Sequence, residues 1–176
     1  HSGVDGTWYV SGHFRQDEDR SLGRGSLVFI SIGSTIYESL KETASRETEK
    51  KLKTYTAKQY GKFVGPRDEE RAWTTLSLQY RISRLNTTES PDRGTGTIKF
   101  IESFTELGQT HDNDKPSMSI TSGGVQVLFD GTYKIQNQIV NSKKIPVIAF
   151  NDNNDISQPP DNNAVRLLSN TFPGVI

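Results

Sequence analysis

Apolar residues along this chain fall mostly at alternate positions, the period of a strand with one covered face. Trp8-Tyr9-Val10 opens a short strand running toward Phe14. The stretch from Ser26 to Ile32 is apolar on both faces, with Val28, Ile30 and Ile32 on one and Leu27 and Phe29 on the other. A strand apolar both ways is normally central in a sheet or covered by a helix. Leu76, Leu78, Tyr80 and Ile82 alternate with polar residues and read as a half-buried strand, and Ile98, Phe100 and Phe104 follow a looser version. Val125, Val127, Phe129, Tyr133 and Ile135 alternate across Gly131, where a bulge is expected. Ile145 to Phe150 reads as a short apolar strand with Pro146 near its start.

One region breaks this period. Thr35 followed by Glu38 is a capping-box pattern, after which Ile36, Leu40 and Ala44 share a helical face. A second stripe uses Leu52, Tyr55 and Phe63, with Tyr60 at its margin. The two stripes cannot share one face of a straight helix, so two helical pieces are predicted, breaking between Ser45 and Glu49. Gly61 and Gly65-Pro66 should close the region. The expected class is mainly β (α+β): an antiparallel β-sandwich or barrel with one helical insertion near residues 35–63.

Composition narrows the function. The 176 residues suit a single β-rich domain over 8–176, with residues 1–7 reading as a tag or linker remnant and a C-terminal tail from about 163. Basic and acidic residues balance at 21 each, so any contact with a polyanion must rest on a local patch. Cysteine is absent, which excludes disulfides, thiolate metal sites and cysteine nucleophiles. No apolar run reaches membrane-spanning length and no signal region is visible, so an intracellular or virion setting is expected.

Gly6-Thr7-Trp8-Tyr9 resembles the first-strand signature of lipocalins. The resemblance implies an eight-stranded barrel with Trp8 packed at its closed end and a small apolar ligand inside. The chain departs from that family in its early helical region and its lack of a cysteine pair. A simpler reading covers both Asp5-Gly6-Thr7-Trp8 and Asp130-Gly131-Thr132-Tyr133: Asp-Gly makes a turn, and Thr with an aromatic starts a strand.

Reactive constellations are sparse. His1, His13 and His111 have no zinc-pair spacing, and no nucleophile elbow or phosphate loop occurs. The runs at 111–114 and 151–155 are rich in Asn and Asp, but an EF-hand loop would need Gly at Ile156 and Glu at Asn162, so turn chemistry explains them better. Asn86-Thr87-Thr88 is a sequon that matters only if the chain is secreted. No catalytic residue, metal or cofactor is expected, and the chain reads as non-enzymatic.

Two surfaces stand out. Lys50, Lys51, Lys53, Lys58 and Lys62 interleave with Tyr55 and Tyr60, a composition that can meet RNA or an anionic membrane, although an ordinary helix with its Tyr and Leu stripe on the sheet and its lysines in water is the simpler reading. Trp73 and the tail residues Leu167, Leu168, Phe172, Val175 and Ile176 are candidate inter-subunit contacts, with docking onto their own domain as the alternative. The expectation is therefore a self-associating structural subunit, a homo-oligomer of the viral coat or matrix type by analogy of composition. A lipocalin-like carrier of a small apolar ligand is the alternative.

Overall fold

The structure, a computed structural model, describes residues 7–16, 23–79, 96–107, 117–140 and 142–176. Strands β1 (Thr7–Gln16) and β2 (Gly23–Ile32) come first, then helices α1 (Ile36–Thr43), α2 (Arg46–Tyr60), α3 (Pro66–Ser77) and α4 (Gly96–Leu107). Strands β3 (Met118–Phe129), β4 (Gln136–Val140), β5 (Lys143–Val147) and β6 (Val165–Val175) complete the order. Four strands form an antiparallel sheet in the order β1-β2-β6-β3, and β4 pairs only with β5. The class is α+β. The sheet is open at β1 and β3, so the expected barrel does not form.

The helical content exceeds the single predicted insertion. The break between α1 and α2 falls at Ala44 and Ser45, the near edge of the expected window, with Arg46 to Glu49 already in α2, and Thr35 closes a full capping box with Glu38. Ser45 starts α2 by accepting from the Thr48 amide. Pro66, read as a terminator, is instead the first residue of α3, where its missing N–H costs nothing. The alternation at Leu76 and Leu78 is the end of that helix, not a strand, while Tyr80 and Ile82 lie outside the described residues. Residues from Ala72 to Leu76 are buried all round, so α3 lacks the one-sided pattern that marks a surface helix. Ile98 and Phe100 also belong to a helix, in which Ile98 and Ile101 form the buried stripe. Phe63 lies beyond the end of α2, exposed, and joins no stripe.

Two cores result. One packs Ile98 and Ile101 of α4 against Val125, Val127 and Phe129 of β3, with Phe150 and Val165 closing it. The other gathers Leu40, Leu52, Ala72, Trp73 and Leu76 from α1, α2 and α3. They are tied together by polar bonds: the buried Ser122 hydroxyl of β3 accepts from the Ile36 amide at 2.8 Å, and Glu70 of α3 accepts from the Gly124 amide at 2.9 Å. The bulge expected at Gly131 lies instead between Ser122 and Val125, where Gly123 takes a φ of 57°.

The predicted tail is β6, an interior strand of the sheet. It pairs with β3 along most of its length, and Ile176 exchanges backbone hydrogen bonds with Thr121. Removing the chain after Asn163 would therefore take out the strand that joins β2 to β3. The polar loop at 151–163 is wired rather than loose. Asn154 accepts from the Ala149 amide and donates to the Val147 carbonyl, and Asn151 donates to the Asp155 carbonyl. The Asp155 carboxyl is held below its usual range by hydrogen bonds from the Ser157 side chain and backbone. The run at 111–114 and the sequon lie outside the described residues.

Candidate assembly surface

β1 and β2 form a hairpin of ten register pairs, from Thr7↔Ile32 to Gln16↔Gly23. Its attachment to the rest of the sheet is two pairs long: Ser31↔Val175 and Ile32↔Gly174. Beyond those pairs the hairpin leaves the body as an arm, and every residue of β1 is exposed. The sequence suits such an arm, because β-branched and aromatic residues at Trp8, Tyr9, Val10, Val28, Phe29 and Ile30 favour extended backbone.

Cross-strand partners share a face, so the register sorts the side chains. Val10 pairs with Phe29, Gly12 with Leu27, and Phe14 with Gly25, and Trp8 continues the same face opposite Ser31. The resulting face carries Trp8, Val10, Phe14, Leu27 and Phe29 and no charged residue between Trp8 and Phe14. Exposure of these five runs from 46% at Phe29 to 70% at Phe14. The glycines sit beneath large neighbours: a Cβ at Gly12 would come 3.1 Å from Leu27 Cδ1, and one at Gly25 would come 3.6 Å from Phe14 Cδ2. The opposite face holds Tyr9, Val28, Ile30 and Ile32 near the body, then Ser11, His13, Ser26 and Arg15 toward the tip.

Val28, Ile30 and Ile32 against Leu27 and Phe29 is the two-faced pattern that ordinarily marks a central or helix-covered strand. Here β2 has β1 on one side and no covering layer among the described residues. Trp8, at 59% exposure, stands on this arm rather than at the closed end of a barrel. The arm residues Val10, Phe14, Leu27 and Phe29 were not among the sequence candidates for assembly. The signal lies in the two apolar faces of Ser26–Ile32, a pattern that ordinarily implies a central or helix-covered strand.

The lysine-aromatic helix is built differently. Leu52, Thr48, Thr56 and Gln59 face inward, and the lysines of α2 point to solvent. Lys51 pairs with Glu47 at 2.8 Å and Lys53 with Glu49 at 2.6 Å. Those pairs pull both glutamate carboxyls below their usual range and raise Lys53. Lys58 lies 5.1 Å from the centre of the Tyr55 ring. Tyr60 is half-buried with an unpartnered hydroxyl, and burial raises its pKa; it offers no ring for stacking. Lys50 is exposed on the helix, and Lys62 lies exposed just past its end. Depressions of about 470 and 320 Å³ beside Lys50 are open grooves on the helix surface rather than enclosed cavities.

Trp73 is 2% exposed, stacked edge-on against Tyr37 at 5.5 Å, so it supports its own domain and cannot meet a neighbour. Leu168, Phe172 and Val175 are half-buried on the sheet, and Leu167 and Ile176 are partly exposed. The structure thus spreads the six assembly candidates over the core and an interior strand. Among the described residues no group of His, Asp and Glu has the proximity to hold a metal ion, and no helix is long and apolar enough to cross a membrane. No protein-family model, curated protein or solved structure matches this chain.

Proposed function

We propose that the chain is a self-associating structural subunit and that the β1–β2 arm is its assembly element. One observation carries this reading: a ten-pair hairpin, apolar along one whole face from Trp8 to Phe14 and on the other near its root, extends from the sheet on a two-pair attachment. Contiguous apolar surface of this kind marks an interaction site. A long exposed strand edge adds a row of unpaired backbone groups that favours another chain. A coat- or matrix-type role accords with the neutral, cysteine-free composition. The lipocalin-like carrier has less in its favour, because the sheet is open among the described residues and Trp8 is exposed on the arm.

Contact with RNA or an anionic membrane through α2 is a secondary part of the proposal. The helix holds five cations and two carboxylates, and the two ion pairs blunt its field. Lys50 and Lys58 are its best remaining phosphate contacts, with Lys62 beside them.

Light scattering on the intact chain tests the main reading. The parent should exceed the mass of a 19.7 kDa monomer, and Leu27→Glu with Phe29→Glu should return it to that mass with unchanged circular dichroism. A parent that stays monomeric at high concentration overturns the proposal.

A further inference from the structure

We infer that the partner of the arm is the arm of a second copy, stacked face to face through Trp8, Val10, Phe14, Leu27 and Phe29. This rests on the self-association reading and names its geometry. Three observations choose this occupant.

The first is area. From ordinary side-chain sizes the five residues expose roughly 600 Å² of apolar surface. Two such faces bury about 1,200 Å² together, the lower end of specific interfaces. Neither partner needs another surface to reach that threshold.

The second is charge. A two-fold interface sets each patch against itself. The five-residue face has no charge from Trp8 to Phe14, so self-stacking creates no repulsion. The opposite face turns polar toward its tip, at Ser11, His13, Arg15 and Ser26, and a stack there would take those groups out of water.

The third is shape. Gly12 under Leu27 and Gly25 under Phe14 let the large side chains lie across the strands. The face from Trp8 to Phe14 is thereby filled over six residue steps, about 20 Å at the rise of an extended strand. Two such surfaces can pack at the usual separation of stacked sheets, about 10 Å. Edge-to-edge pairing of β1 would leave this whole face wet.

The absence of cysteine makes the test direct. Single variants Val10→Cys and Leu27→Cys mark the proposed face, and Ser11→Cys marks the other. Each is treated with a short bis-maleimide at a concentration where the parent is oligomeric. Covalent dimer should form with Val10→Cys and Leu27→Cys at least tenfold faster than with Ser11→Cys. Equal rates, or faster linking through Ser11→Cys, in a protein that remains oligomeric overturns the stacking while the self-association reading stands. A monomeric parent with no linked dimer overturns both. The second variant on the proposed face guards against a local packing effect at position 10.

Discussion

Gly174 is set against Ser31 so closely that a Cβ there would overlap the Ser31 carbonyl, and its φ is 130°. Only glycine fits this position. The pair Ile32↔Gly174 is one of just two that fasten the arm to β6, and the Gly33 amide donates to the Pro173 carbonyl beside it. Gly174→Ala should therefore release the arm at its root. Hydrogen exchange at the Gly33 amide should quicken at least tenfold, with a stability loss of about 1–3 kcal/mol from backbone strain. Unchanged exchange at Gly33 would show that the root tolerates a side chain.

The two tryptophans should behave oppositely. Trp73 fills the helical core against Tyr37, so Trp73→Ala should cost about 3–5 kcal/mol in urea unfolding. Trp8 stands on the exposed arm, so Trp8→Ala should leave monomer stability within about 0.5 kcal/mol and weaken oligomers instead. Unfolding midpoints and sedimentation at several concentrations separate the two effects. Equal stability losses would mean that the arm packs onto its own body.

On α2 the inward and outward residues should divide just as sharply. Leu52 is fully buried, and Leu52→Ala should cost about 2–5 kcal/mol. Lys51 and Lys53 form exposed pairs four residues from their glutamates, and neutralising either to Gln should leave the urea midpoint unchanged. If α2 meets a polyanion, Lys50→Glu with Lys58→Glu should abolish salt-sensitive retention on RNA or anionic vesicles. Retention that survives both changes removes this helix as the contact.

Tyr37 sets an alkaline limit on stability. Burial comes first, then its hydrogen bond to the Glu69 carboxylate at 2.6 Å, and both hold the phenol well above its ordinary pKa of 10. Below pH 10 the phenol is neutral folded or unfolded, and its contribution is fully present. Above that the unfolded chain releases the proton first, so stability falls as pH climbs toward the folded value. Tyr37→Phe should flatten the decline of stability between pH 10 and 11. An unchanged slope would place the alkaline loss elsewhere.

The local grammar of the chain was legible where a residue acts on its immediate neighbours. Thr35 and Glu38 announced the start of α1, and Ser45 to Glu49 the break before α2. The alternation of Val125, Val127 and Phe129 gave a true strand. Legibility failed where tertiary burial overrode the period. With Ala72 to Leu76 enclosed on all sides, α3 carries no apolar stripe, and its last leucines mimic a strand. The tail read as detachable because its sheet partners lie far away in the chain. On the candidate surface the sequence shows both apolar faces of β2, but not that the fold leaves them without a covering layer among the described residues.

The arm and its root also differ in when they exist. β1 and β2 leave the ribosome long before Gly174 and Val175 can clasp Ser31 and Ile32. During that interval the hairpin has no sheet to join, and a lone two-stranded ribbon is only marginally stable in water. If the proposed stacking holds, a second nascent arm would supply that support, and assembly would accompany synthesis rather than follow it.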